Sequence, residues 1–301
     1  MSKRIVSIGE CMVELALRAD GAYDRNFAGD SFNSAWYLRH ILPEADKVDY
    51  FTAVGEDTVS SQMLSFMETS GVGTGYIRRV SSRTVGLYMI ELANGERSFS
   101  YWRDSSAAKL LAEDRAALEA AVAGRDLVIF SGITLAILSP VHRNVLLDVL
   151  AGARANGTVI AFDPNMRLRL WATKRDMTDA VTHASKVADI VLPSFDEEQA
   201  GFGDLTVTDT LRRYRENGAG TVIVKNGGGL LVAEDAKEGL VEFQPVAASQ
   251  VVDTTAAGDS FNAGFLAARL GGATLLTALE QGAALAGKVI QQRGALVDVG
   301  Q

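Results

Sequence analysis

Short runs of β-branched and apolar residues alternate along this 301-residue chain with amphipathic stretches of helical length. The runs are IVSIG (5–9), VDYFTAVG (48–55), LVIFSG (127–132), VIAFD (159–163), IVLPS (190–194) and TVIVKNG (221–227). Their apolar residues are mostly continuous and do not alternate with polar ones. A strand of that kind is buried on both faces, and a helix must carry the chain back to the next parallel strand. Segments near 31–42, 57–70, 111–123, 140–156, 175–187 and 205–217 supply those helices. Two more, near 257–270 and 273–292, are rich in alanine and glycine and close the chain. The pattern dictates an α/β fold with a mostly parallel sheet covered by helices. No internal repeat or low-complexity linker is visible, so residues 1–301 read as a single domain.

One region departs from this rhythm. In TVGLYMIELANGERSFSYWR (84–103), Val85, Leu87 and Met89 alternate with Gly86, Tyr88 and Ile90. Asn94-Gly95 offers a tight turn, and Phe99 and Tyr101 alternate on the return. Such alternation around Asn-Gly predicts an antiparallel hairpin. A further strand-like piece, MVELAL (12–17), follows the first core run. Segments 12–28 and 84–104 therefore predict a small β-sheet projecting from the main body. A sheet with one open face covers a cleft or meets a partner, which suggests a lid and allows a homo-oligomer through it.

The net charge of −8 argues against nucleic acid, which needs a clustered basic footprint. A negatively charged small molecule remains compatible, because a few arginines can reverse the field inside a cleft. The single cysteine, Cys11, excludes an internal disulfide or a cysteine-based zinc site and reads as a buried thiol in a strand. His40, His142 and His183 are scattered without ligand spacing. The N-terminus lacks the apolar region of a signal peptide, and no stretch approaches 18 uninterrupted apolar residues. These features lead to the expectation of a cytoplasmic protein with no membrane partner.

The segment most suggestive of chemistry is DTTAAGDSF (253–261), a run of small residues leading into an amphipathic stretch. A helix N-terminus there would present free N–H groups to an anion. Small side chains at Ala256, Ala257 and Gly258 let a phosphate reach the backbone. A carboxylate at Asp259 beside such a site makes sense if it receives a proton from an attacking hydroxyl. The same residues also suit an ordinary helix cap. KNGGG (225–229) ends a strand run and allows either a phosphate- or adenine-facing nest or a plain turn between strands. It lacks the lysine-Ser/Thr pair of a Walker A loop.

Residues 253–261 resemble the C-terminal signature of the ribokinase-like (PfkB) carbohydrate kinases, and AGDSFNSA (28–35) resembles their N-terminal glycine motif. The similarity runs essentially from end to end. SIGECMVEL (7–15), SYWRDSSAAK (100–109), SGITLAILSP (131–140) and FDPNMRLRLWATK (162–174) are similar to the branch that phosphorylates 2-keto-3-deoxygluconate at its C6 hydroxyl. The resemblance implies a three-layer α/β/α sandwich with a β-sheet lid, and ATP with Mg²⁺ as phosphoryl source. It implies that Gly29, Asp30 and Asn33 hold sugar hydroxyls and that Tyr88, Tyr101 and Arg103 cover the sugar. Arg167 would meet a sugar-acid carboxylate. Ala256, Ala257 and Gly258 would form the anion hole, with Asp259 as base. Ser194, Lys225, Gly227 and Gly228 would line the nucleotide site, and Glu197 would influence magnesium indirectly. Asp253 and Thr255, with residues near Val289, Gln292 and Gly294, match a monovalent-cation site such as one for K⁺.

This sequence departs from the family pattern at Ser194, where asparagine is usual, and at Ala256, where many members carry glycine. The arginines bear on the substrate. A buried carboxylate without a partner is costly, so a sugar acid requires what a neutral sugar does not. Arg103 and Arg167 have aromatic or apolar neighbours, as enclosed guanidinium groups would, although surface salt bridges give the same pattern. The competing functions are a ribokinase-like kinase for ribose, fructose or a nucleoside, and a catalytically silent sugar-binding regulator.

Overall fold

A computed structural model describes residues 2–18, 20–93 and 96–300. The first run forms β1 (Arg4–Ile8), and the chain leaves it at once for β2 (Met12–Leu17) and β3 (Tyr23–Ala28) of a second sheet. It returns through α1 (Asp30–Ile41) to β4 (Lys47–Phe51), then makes β5 (Ala53–Val54), α2 (Thr58–Thr69) and β6 (Arg78–Arg79). The hairpin strands are β7 (Gly86–Ala93) and β8 (Glu96–Trp102). Its Asn94-Gly95 turn lies outside the described residues. The alternation then resumes with α3 (Arg115–Val122), β9 (Leu127–Ser131), α4 (Gly132–Ile137), α5 (Pro140–Ala155), β10 (Val159–Asp163) and α6 (Lys174–Val187). β11 (Ile190–Val191), α7 (Phe195–Phe202), α8 (Val207–Glu216) and β12 (Thr221–Val224) follow. β13 (Leu231–Asp235), β14 (Gly239–Phe243), α9 (Ala257–Leu270) and α10 (Leu275–Val289) complete the chain.

The central sheet has the order β14-β13-β12-β11-β10-β9-β1-β4. It is parallel from β4 to β12, and β13 and β14 add an antiparallel edge. Burial on both faces follows from the strand sequences. Val6, Ile8, Val128, Phe130, Ile160, Phe162, Val222 and Val224 point into one core, with α3, α5, α6 and α8. Ile5, Leu127, Ile129, Ala161 and Ile223 point into the other, with α1, α2, α9 and α10. Phe130 and Phe162 stack at 4.7 Å between adjacent strands. Ser139, ahead of Pro140, caps α5 by accepting the His142 N–H at 3.2 Å, as proline at a first helical turn favours.

Three predicted strands end earlier than their apolar runs. VDYFTAVG divides at Thr52, where β5 leaves the central sheet to pair with β6. IVLPS keeps only Ile190–Val191 as strand, because Pro193 has no N–H to donate. TVIVKNG ends at Val224 and turns into β13, with Val224 opposite Val232, so KNGGG is a turn between two strands.

The second sheet has the order β3-β2-β7-β8 and spans both segments predicted for the lid. Glu14 lies opposite Tyr88, which lies opposite Tyr101, so these side chains share one face. That face turns toward the C-terminal ends of the parallel strands, because β2 follows β1 after only a few residues. Open α/β sheets bind ligands at those ends.

Candidate active site

A cleft of about 520 Å³ lies between the lid and the C-terminal ends of β1, β10 and β12. It is lined by residues distant in sequence: Gly29, Asp30 and Asn33 from the start of α1, Tyr88, Tyr101 and Arg103 from the lid, Arg167, Ser194, Glu197 and Lys225 from the strand ends, and Thr255 to Asp259. Gly227, Gly228 and Asp253 do not line it.

The floor depends on a close backbone approach. A Cβ at Gly29 would stand 2.2 Å from the Glu10 carbonyl oxygen, so a side chain there would push α1 away from β1. Asn33 accepts the Gly29 N–H at 3.3 Å and donates through Nδ2 to Asp259 Oδ2 at 2.8 Å. The amide thereby aims the carboxylate. Asp30 is held by Asn165, whose Nδ2 donates at 2.7 Å.

Asp259 sits in the first turn of α9, beneath a loop whose capping residue, Ala256, adopts φ 59° and ψ 16°. This left-handed conformation is expensive for a residue with a Cβ, which accounts for glycine being common there in the resembled pattern. The Ala257 N–H turns back to the Thr254 carbonyl at 3.2 Å. The N–H groups of Gly258 and Asp259 have no carbonyl within the helix to receive them, and both residues line the cleft. Lys225 Nζ lies 3.6 Å from where a Gly258 Cβ would be, placing an ammonium at the same spot.

Burial raises the Asp259 carboxyl from 3.8 to about 8, with the nearby Asp30 charge adding to it and the Asn33 hydrogen bond opposing. A proton affinity close to the working pH suits a general base, which must first give up its own proton.

The cations are partnered in a way the sequence did not reveal. Lys225 Nζ donates to Asp163 Oδ2 at 3.0 Å and to Asn262 Oδ1 at 3.2 Å. Arg103 is buried and ion-paired with Glu10, which also accepts from the Ser106 hydroxyl. Arg167 is ion-paired with Glu197, whose other oxygen accepts the Met166 N–H at 2.8 Å. Burial pushes the Glu197 carboxyl up even against the Arg167 charge. The guanidinium expected to be enclosed at 103 is so, whereas that of Arg167 is half-exposed; both are ion-paired and line the cleft. On the lid, Tyr88 donates to Glu14, and its ring stacks on Tyr101 at 5.9 Å.

Sequence reasoning passed over Glu10, Phe99, Asp163, Asn165, Arg169 and Asn262. Asp163-Pro-Asn165 had a readable signal, since it follows a buried strand and so stands at the ligand-facing edge. Asn262 had none, because only packing brings α9 against β10.

A family model described as pfkB family carbohydrate kinase matches residues 2–299. The chain belongs to the pfkB family of carbohydrate kinases. This pfkB kinase is 42% identical over 303 residues to the 2-dehydro-3-deoxygluconokinase of Escherichia coli strain K12, covering 99% of this chain and 98% of that protein. It is 39% identical over 302 residues to the 2-dehydro-3-deoxygluconokinase of Dickeya dadantii, covering 98% and 97%. Its fold matches the crystal structure of a PfkB protein from Polaromonas sp. JS666 with a TM-score of 0.84 at 26% identity, covering 97% and 96%. The expected fold, a parallel sheet between helical layers with a separate small sheet, therefore holds for this kinase.

Proposed function

We propose that this kinase transfers the γ-phosphoryl group of ATP to the C6 hydroxyl of 2-keto-3-deoxygluconate, giving 2-keto-3-deoxy-6-phosphogluconate. Relatives named for that substrate under its synonym, 2-dehydro-3-deoxygluconate, cover nearly the whole chain. The observation that carries the reading is the polarity of the cleft. One end holds a carboxylate of raised proton affinity under a helix N-terminus, and the other gathers arginines beneath an aromatic lid.

In this reading Asp259 accepts the C6 hydroxyl proton while that oxygen bonds to the γ-phosphorus. The bond from phosphorus to the β–γ bridging oxygen breaks, and ADP leaves. The free N–H groups at Gly258 and Asp259, with Lys225, stabilise charge on the transferring group. Asn33 keeps the accepting oxygen aimed at the sugar. Gly29 and Asp30 hold the sugar, while Tyr88 and Tyr101 exclude water above it. Ser194 and the turn at Gly227 and Gly228 lie toward the nucleotide.

Among the described residues no group of three carboxylate, histidine or cysteine side chains gathers as a metal cage. Magnesium would arrive on the nucleotide phosphates with its own water, as Mg²⁺ is usually held. Glu197 would act on it indirectly. A monovalent cation would sit near Asp253, whose oxygens accept N–H bonds from Thr255 at 2.9 Å and Gly294 at 2.8 Å. These bonds join the two segments that would surround it. A homo-oligomer would use the outer lid face, where Trp102 is 58% exposed. The molecule would act in the cytoplasm as one domain with its lid; no described helix is long and apolar enough to cross a membrane.

The test is an ADP-coupled assay on the gluconate- and galactonate-derived ketoacids, ribose and fructose. The ketoacids should give the highest kcat/KM, and a higher value for ribose or fructose would overturn the reading.

A further inference from the structure

The cleft holds a fourth cation that differs from the others. Arg103, Arg167 and Lys225 each already have a carboxylate partner, in Glu10, Glu197 and Asp163. A sugar carboxylate approaching any of them meets a resident negative charge as well. Arg169 ends differently. It lies on the short turn Leu168–Leu170 that follows β10, and it lines the same cleft. Among the described residues no carboxylate comes within ion-pairing distance of it. Its guanidinium instead lies over the Tyr101 ring, 4.4 Å from the centroid, and Nη2 donates to the Tyr101 hydroxyl at 2.6 Å.

We propose that Arg169 is a second arginine, beside Arg167, that selects an acid over a neutral sugar by contacting the substrate carboxylate and tying it to the lid through Tyr101. This rests on the sugar-acid reading above. Three features support it. No resident carboxylate offsets the charge of Arg169, so a substrate carboxylate meets only the screening of solvent at the cleft mouth. A guanidinium has five N–H donors in a planar fork, and the bond to Tyr101 uses one, which leaves a pair for bidentate capture. Arg169 is exposed at the cleft mouth, so it can stay hydrated and unpaired until substrate arrives. Tyr101, accepting from Arg169, keeps its own proton to donate to the same substrate end. Binding an acid therefore joins β8 of the lid to the loop after β10, and a neutral sugar would leave that junction without its anion.

The test compares kcat/KM for the ketoacid and for its primary amide in wild type, Arg169→Ala, Arg169→Lys and Tyr101→Phe. Wild type should prefer the acid. Arg169→Ala should lower the acid-to-amide ratio roughly tenfold, the scale of one charge-assisted contact, through KM for the acid. Its KM for ATP and its melting temperature should not move. Arg169→Lys should recover part of the ratio. Tyr101→Phe should slow acid and amide more evenly, because it loosens the lid while keeping the charge. A ratio in Arg169→Ala within twofold of wild type would overturn the inference, leaving Arg169 a lid contact only. Failure of wild type to phosphorylate the ketoacid at all would overturn the preceding reading first, so the two failures are distinct.

Discussion

Asp259→Asn separates the chemistry of this site from its stability. The substitution keeps shape and can still accept the Asn33 Nδ2–H, a bond of 2.8 Å in the structure, but it cannot take a proton. General-base catalysis contributes about 10²- to 10⁴-fold, so kcat should fall by that amount. Stability should move the other way. Burial raises the folded-state carboxyl from 3.8 to about 8. The folded state therefore holds a proton that the unfolded chain has released, and the carboxyl's contribution to stability declines as pH rises from about 4 to 8. At about 1.4 kcal/mol per pH unit, the span from 3.8 to about 8 sets a ceiling near 6 kcal/mol at pH 8. Asp259 is only partly buried and opens onto the cleft, so solvent screening brings this to about 2 kcal/mol. Asparagine removes the ionisable group. The variant should melt about 4 °C higher than wild type at pH 8, at roughly 2 °C per kcal/mol for a chain of this size, and no higher at pH 4. An ADP-coupled assay and thermal melts at the two pH values read both arms. Turnover above a tenth of wild type, or a lower melting point than wild type at pH 8, would refute the reasoning.

Three further variants probe the surroundings. Asp30→Asn removes a charge that raises Asp259, so the acid limb of the pH profile of kcat/KM should shift toward lower pH; a shift upward, or none, contradicts the coupling. Arg167→Ala should raise KM for the ketoacid roughly tenfold or more and leave that for ATP nearly unchanged, and equal changes in both would remove Arg167 from the sugar end. Ala256→Gly relieves a left-handed alanine, about 1–2 kcal/mol, against about 0.4–1 kcal/mol of added unfolded-chain entropy. It should melt at or slightly above the wild-type temperature with turnover within twofold, and a clear drop in melting temperature would show that the backbone there is not strained.

Much of the fold was legible because burial leaves a one-dimensional trace. A strand covered on both faces must be largely apolar, and β1, β9, β10 and β12 are, with their polar residues mostly at the strand ends. The lid was readable because a sheet with unlike faces must alternate, as Tyr88 and Tyr101 do with their neighbours. The edge strands β13 and β14 left weaker traces, since residues such as Glu234 and Glu242 interrupt them. α7 is only eight residues long and too polar for its period to stand out.

The site divides along the same line. Local sequence determined which residues could carry phosphate and proton chemistry: small residues entering a helix, followed by Asp259, and arginines in apolar company at 103 and 167. It could not determine which charges were already satisfied, because ion pairing depends on distances between residues far apart in the chain. Glu10 meets Arg103 across 93 positions, and Lys225 meets Asp163 across 62. Only the folded chain showed that Arg103, Arg167 and Lys225 are neutralised from within, while Arg169, two residues beyond Arg167 on an exposed turn, keeps its charge for an incoming anion.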